Sequence, residues 1–440
     1  MRSSEYIDKS RRDYSLYVLQ MRAIPSLADG LKAGSRRVIW TGKNGKTYKS
    51  ATLAGLTMPL HPHDAPEGAI NTLAAFYNNN IPLLTGEGAF GTLLDPSAYG
   101  ASRYTSVKIS KFAQDVLLKD IELIPMVENY DGSLEEPKHF LPIIPLALLN
   151  PSRGIAIGFA TNILPRALED IVDIQIMFLK GRKRITHDIF PYFVPIDGEA
   201  IEYEETDNGN IAYYFKGTVK RKNTSAVIVT SLPYGLSHEK FIDHLDALKE
   251  KDVVLDYEDR SKDVYNIEVK FKRGQLEDPL QQLKLISREV ENLTLIDFDG
   301  SSVLSVDPIE AIRLFTEWRL KWYLNRYERL RDELEVEIQK YKDILTAIDQ
   351  DVGGKARTIG SRAELITFLK KIKIVHTDYI AGFPIYRFTK EEKAKVEAKL
   401  KDALELLKRY KQLIRSEDER KKVYISELRG VVIAYQKGLY

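Results

Sequence analysis

The chain has 440 residues, more than one ordinary hydrophobic core holds, so two or three domains are expected. With 44% hydrophobic and 29% charged residues it is not disordered, and without a cysteine it has no disulfide framework, thiolate metal site or cysteine nucleophile. The net charge of +2 selects no class of partner, no apolar run reaches the roughly 18 residues of a membrane helix, and no secretory signal is visible, so the chain reads as a soluble cytoplasmic protein.

In chain order, residues 1–125 read as short helices, loops and small strands. "IDKSRRDYSLYVLQMRAIP" begins helically and stops at Pro25, and "ADGLKAGSRRVIW" opens on the turn residues Asp29-Gly30. "EGAINTLAAFYN" has helical apolar spacing, "LLTGEGAFGTLLD" reads as a glycine-punctuated loop, and "ASRYTSVKIS" ends in strand-like alternation. Residues 1–50 hold eleven Lys or Arg against four Asp or Glu, whereas residues 119–140 hold six acids against two lysines. A local basic surplus is the footprint of a phosphate-tracking surface, although solvated faces also carry lysines.

Residues 195–275 change character. "NIAYYFKGTV", "SAVIVTSLP" and "VYNIEVKFKR" are strand-like, "DNGN" is a turn, and "SHEKFIDHLDALKEK" is a helix with Ser237 as N-cap. From Asp307 the period becomes that of long helices. Leu320, Tyr327, Leu334, Tyr341 and Ile348 lie seven apart; Val396, Leu400, Ala403, Leu407, Tyr410 and Ile414 alternate four and three, behind a Thr389/Glu392 capping box. Glycines and Pro384 within 350–388 predict a compact tip between two helices that pair within the chain, a coiled-coil dimer being the alternative. The fold class is multidomain α+β.

Four stretches carry residues with chemistry. Tyr104, one of 24 tyrosines, is either an amphipathic strand-edge residue or a nucleophile, beside Arg103. A phenol of pKa near ~10 both attacks and leaves readily, which suits reversible exchange of phosphodiesters. His61 and His63 in "LHPHDAP" make a poor metal site and are either phosphate-facing donors or ordinary loop histidines. Arg22, Lys32, Arg36 and Arg37 suffice for several contacts to a nucleic-acid backbone. Ile155, among the glycines of "PSRGIAIGFATNILP", sits where backbone can approach a ligand closely. "DFDG" at Asp297–Gly300 reads as a turn rather than an acidic metal motif.

The ordered run "RAIPSLADGLKAGSRRV … YKSATLAG … HPH … IPLLTGEGAFG … ASRYT … VENYDG … LPIIPLALLNPSRGIAIGFATNILP" resembles the breakage–reunion (A-type) subunit of type IIA DNA topoisomerases, in the shorter form found in T-even bacteriophages. The resemblance extends through "VYNIEVKFKRG" and "FPIYRFTKEE" to the final helices. It implies an N-terminal arm and winged-helix domain over 1–125, a tower domain over 126–306, a coiled-coil stalk of 307–349 with 389–430, and a dimerising helical head at 350–388. It implies that Tyr104 attacks a DNA phosphate and holds the 5′ end, with Arg103, Arg22 and His63 around the phosphate. Lys32, Arg36, Arg37 and His61 would contact DNA, and Ile155 would wedge between base pairs. No P-loop or glycine-rich nucleotide fingerprint is present, and in the family Mg2+ and ATP belong to a large partner protein. A homodimer within a heteromeric complex acting on double-stranded DNA is implied, with no membrane. No room is left after the last helix for the DNA-wrapping domain of gyrase, so relaxation rather than supercoiling is expected. The chain differs from the family pattern in "HPHD", "GEGAFG" and Ser35. An architectural DNA-binding dimer and a tyrosine recombinase are the rival readings; the latter would want its nucleophile near the C-terminus.

Overall fold

The computed structural model describes residues 10, 17, 19–62, 66–156, 158–186, 188–262 and 264–440. Of the first predicted helix, its end is seen as the helical turn Leu19–Ala23, and most of the remainder lies outside the described residues. Then come α1 (Ala33–Gly42), β1 (Tyr48–Lys49), α2 (Ser50–Thr57) and α3 (Pro66–Ala74). The turn before α1 needs Gly30: its φ is +70°, and a Cβ there would lie 2.4 Å from the backbone nitrogen of Ala147.

Strands β1, β2 (Leu84–Glu87) and β3 (Ser106–Ile109) form an antiparallel sheet with β3 in the centre. Lys49 lies opposite Ser106, and Leu84 opposite Ile109. Val107 and Ile109 point inward and Lys108 outward, the alternation expected of a half-buried strand. The stretch "LLTGEGAFGTLLD", predicted as loop, therefore begins as a strand. Its Gly86 is there for packing: a Cβ would sit 2.5 Å from the ring of Phe90.

Two hairpins follow, β4 (Met126–Glu128) with β5 (Glu135–Pro137) and β6 (Ser152–Ala156) with β7 (Phe159–Ile163), and then α4 (Leu168–Leu179). Strands β8 (Tyr192–Phe193), β9 (Gly198–Glu205), β10 (Ile211–Lys216), β11 (Thr218–Arg221) and β12 (Ala226–Ser231) lead to α5 (His238–Glu250), whose N-cap Ser237 accepts from the Lys240 N–H. After β13 (Val254–Asp259), β14 (Ile267–Phe271), α6 (Pro279–Gln282) and β15 (Ile286–Glu291), two four-stranded sheets are complete, ordered β15-β10-β9-β8 and β11-β12-β14-β13. The strand-like run "NIAYYFKGTV" divides at Gly217 between these sheets, where a Cβ would meet the Ser231 carbonyl at 2.7 Å. Tyr265, Ile267, Val269 and Phe271 are all buried and pack with Phe241 and Leu245 of α5. Each large side chain so buried is worth roughly 1.5–3 kcal/mol. The "DFDG" turn joins β16 (Thr294–Ile296) to β17 (Val303–Ser305), with Gly300 at φ +79°.

The chain divides into two compact units: Leu320–Tyr424, and the chain up to Arg319 together with Ile425–Tyr440. The 42-residue α7 (Pro308–Asp349) contributes to both. Within Leu320–Tyr424 it packs on α11 (Lys390–Arg415), after the short helices α8 (Val352–Lys355), α9 (Arg362–Lys371) and α10 (Thr377–Ala381). Tyr327 meets Tyr410 at 5.7 Å between ring centroids, and Lys393 pairs with Asp349 at 2.6 Å, so the two helices run antiparallel. Leu334, Ile338 and Ala403 fill the seam, and intrachain pairing is what the interrupted heptads adopt. The tip has its own core of Val352, Leu369, Ile374 and Ile380. The last helix is α12 (Glu417–Gln436). Among the described residues no helix is long and apolar enough to cross a membrane.

Candidate functional site

The Tyr104 turn is built from backbone contacts with α2. The Tyr104 N–H closes on the Ala101 carbonyl at 2.8 Å, the Ser50 N–H donates to the Thr105 carbonyl at 3.0 Å, and the Ala51 N–H donates to the Ser102 carbonyl at 3.1 Å. Thr105 is buried, and its hydroxyl donates to Ser50 Oγ at 2.7 Å. On the other side the Ser102 hydroxyl donates to Glu67 of α3 at 2.7 Å. Residues 102 and 105 are thus pinned while the side chain between them faces solvent: Tyr104 is 69% exposed. The Arg103 guanidinium lies over the phenol ring, 4.7 Å from its centroid, a cation–π contact that keeps a positive charge beside the hydroxyl-bearing group. Lys49 Nζ donates to the Tyr104 carbonyl at 3.2 Å. Sequence reasoning missed Lys49, because its position follows from the β1–β3 register, which no local spacing reveals.

The other predicted cations divide by burial. Arg22 is exposed on the turn Leu19–Ala23 and, with Lys32 and Arg153, lines a cleft of about 980 Å3 to which Pro66 and Ala69 of α3 also contribute. Arg36 and Arg37, predicted to contact DNA, are engaged inside the protein. Arg36 makes two bonds to Asp29, at 2.7 and 3.0 Å, and a third to the Leu31 carbonyl. Asp29 is fully buried and also accepts from the Leu31 and Phe140 N–H groups. Arg37 is itself buried and forks onto Glu136 at 2.5 and 2.9 Å. The reason is electrostatic: a carboxylate taken out of water requires a fixed cation and several donors, and the neighbouring arginines supply them.

His61 is buried, shares a hydrogen bond with the Tyr17 hydroxyl and meets the ring of Tyr130 edge-on, so its ring is packed among aromatics and does not project as a phosphate donor. His63 lies outside the described residues.

Ile155 stands on the β6–β7 hairpin, opposite Ala160, and is 88% exposed. A buried strand residue is thereby excluded. Ala156, one position on, turns the other way and packs on Leu19, Ala23 and Ile24. Gly154 is required by that packing, since a Cβ there would fall 1.9 Å from the Ala23 carbonyl oxygen. Lys32 Nζ donates to the Arg153 carbonyl at 2.5 Å, and Arg153 pairs with Glu289 at 2.8 Å. With Arg36, Arg37 and His61 engaged internally, the other described predicted residues fall into two groups, Arg103 with Tyr104, and Arg22 and Lys32 with the hairpin of Ile155, and α3 borders both through Glu67, Pro66 and Ala69.

The carboxylate beside the tyrosine turn, Glu67, is already engaged by Ser102, and among the described residues no three His, Asp or Glu side chains gather where they could hold a metal ion.

The family model for the A subunit of DNA gyrase/topoisomerase IV matches residues 22–429. The chain is 30% identical over 420 residues to the DNA topoisomerase medium subunit of Enterobacteria phage T4, covering 90% of this chain and 92% of that one. It is 28% identical to the A subunit of DNA gyrase from Campylobacter fetus over 93% of this chain and 51% of that one. Against the A subunit of DNA topoisomerase 4 from Haemophilus influenzae the identity is 31% over 54% of this chain and 34% of that one. The chain spans nearly the whole length of the phage protein and about half or less of these two bacterial ones.

Proposed function

The chain belongs to the family of DNA gyrase/topoisomerase IV A subunits, within the type II DNA topoisomerases, and from that premise we propose that it is the component that breaks and rejoins DNA, with Tyr104 as its nucleophile. The observation that carries this reading is the Arg103-Tyr104 turn, hydrogen-bonded through its backbone and open at its phenol, with a guanidinium 4.7 Å from the ring centroid. The phenolic oxygen attacks a backbone phosphorus. A bond from phosphorus to Tyr104 Oη forms as the bond to the 3′ oxygen breaks; the phenolic proton goes to solvent, and the leaving oxygen takes one up as a 3′ hydroxyl. Attack by that hydroxyl on the phosphotyrosine reverses the exchange and reseals the strand.

Charge gathers on the phosphate oxygens as five ligands surround phosphorus, and fixed cations lower that barrier because they need not reorganise. Arg103 is the first of these, and Arg22 and His63 complete the set. The exposed Ile155 acts as an apolar wedge between base pairs, bending the segment to be cut. A double-strand break needs one tyrosine per strand, so the working form is a two-fold dimer. Mg2+ and ATP are assigned to a large partner protein, and nothing in the chemistry above depends on a metal held by this chain. In finer division, residues 1–125 serve as arm and winged-helix domain, 126–306 as tower, 307–349 with 389–430 as stalk and 350–388 as dimerising head.

The test is a covalent trap. The chain, its large partner, magnesium and DNA are incubated, denatured and examined for protein-linked DNA. Wild type is expected to form 5′-linked adducts and Tyr104→Phe none, while that variant still folds and binds DNA. Adducts persisting in Tyr104→Phe would move the nucleophile elsewhere, and none in the wild type would leave an architectural DNA-binding protein.

A further inference from the structure

We infer that Lys32 is a positioning residue for the Ile155 hairpin and not a phosphate ligand; the inference rests on the wedge reading of Ile155. A two-stranded hairpin is at best marginally stable by itself, so a wedge mounted on one is only as stiff as its tethers. Opening a base step costs a few kcal/mol, and that load is carried back into β6.

The base of β6 is held from three directions. Lys32, at the start of α1, donates its ammonium to the Arg153 carbonyl at 2.5 Å, two residues before Ile155. The Ala23 carbonyl presses on Gly154 so closely that any side chain would collide with it. Glu289 of β15 holds the Arg153 guanidinium at 2.8 Å. On the paired strand the Asn162 amide donates to the Val290 carbonyl at 2.7 Å. These contacts stop short of Ile155, whose side chain stays in solvent. Lys32 is in keeping with this docked role: it is partly buried, and burial lowers its pKa from the usual lysine value. A charge-assisted bond from an ammonium to a carbonyl is stronger than a neutral one, which explains why a lysine rather than a neutral donor sits there. The link also fastens the wedge to the segment that carries Arg22, because Ala23 and Lys32 flank the same turn.

Two quantities separate a tether from a phosphate ligand: the bend imposed on DNA and the salt dependence of binding. A short duplex carrying donor and acceptor dyes at its ends is bound, with magnesium, to the complex of this chain and its large partner. Lys32→Met is expected to lose most of the end-to-end approach and to reduce covalent adduct several-fold, with the slope of log affinity against log salt unchanged. Lys32→Arg, which keeps a charged donor, is expected to restore the bend. Lys32→Gln keeps a neutral donor and should likewise leave the slope unchanged, so the inference stays exposed to test if Lys32→Met does not fold. A slope reduced by about 0.9 in Lys32→Met or Lys32→Gln would make Lys32 a phosphate ligand and overturn the inference. A normal bend in Lys32→Met would overturn it as well. Ile155→Ala in the same assay tells the two readings apart: if it too bends DNA normally, the wedge itself is wrong; if it alone straightens the DNA, only the role of Lys32 is.

Discussion

Arg103 and Arg37 are the same side chain in two opposed settings. Arg103 lies on a turn whose backbone is held by α2 and whose Ser102 hydroxyl is held by Glu67 of α3, and it is exposed beside an exposed phenol. Arg37 lies on the buried face of α1, where Glu136 takes both arms of its fork. The difference teaches that being basic does not by itself leave a side chain available to an outside ligand; whether a buried carboxylate such as Glu136 has claimed it decides that. Asp29, which holds Arg36, and Asp343 of α7 extend the comparison, since each is a buried carboxylate encircled by donors.

The largest effect is expected on the buried side. Arg37→Ala leaves Glu136 charged and uncompensated, and should cost about 3–5 kcal/mol of stability, read from denaturant midpoints. Loss of DNA affinity in that variant without loss of stability would mean that Arg37 leaves Glu136 to bind phosphate. Next comes the exposed side: Arg103→Ala should lower the yield of covalent adduct by a factor on the order of 100 while melting stays unchanged, as for one lost transition-state donor. A variant that melts early but cleaves normally would put Arg103 in the structural class with Arg37.

The smallest effect concerns acid. Burial pushes the Asp343 carboxyl up, but the His376 N–H, the Gln339 amide, the His376 ring and the Val375 N–H outweigh it and hold its pKa below the usual aspartate value. A depressed folded-state pKa stabilises above the unfolded value, near ~3.9, and that contribution is lost as pH falls through the folded value. The unit Leu320–Tyr424 should therefore become less stable below about pH 4, and Asp343→Asn, already weakened at neutral pH, should show a flatter acid limb. An acid limb identical in wild type and variant would remove Asp343 from the account.

Much of the framework was legible in the residues. The heptad spacing of α7 and α11 and the alternation through Tyr265 and Phe271 are patterns that repeat every few residues, and the Ser237 and Thr389 caps and the "DFDG" turn are local contacts, so for these spacing is sufficient evidence. The pairing of Arg103 with Tyr104 was legible for the same reason. The strand inside "LLTGEGAFG" was not, because Gly86 signals a break locally and proves to be a packing glycine only once the Phe90 ring folds over it.

What the sequence by itself determined, then, is the identity of most helices and strands, the intrachain hairpin of long helices, the order of motifs that marks the family, and the basic and phenolic residues present. Only the tertiary structure decided which of those residues face outward. Arg37 finds Glu136 across 99 residues, Lys32 finds the Arg153 carbonyl across 121, and Lys49 reaches Tyr104 across 55. Such pairings are selected by the cost of leaving a charge or carbonyl unpaired once the chain has collapsed around it, and that cost does not exist until the fold does.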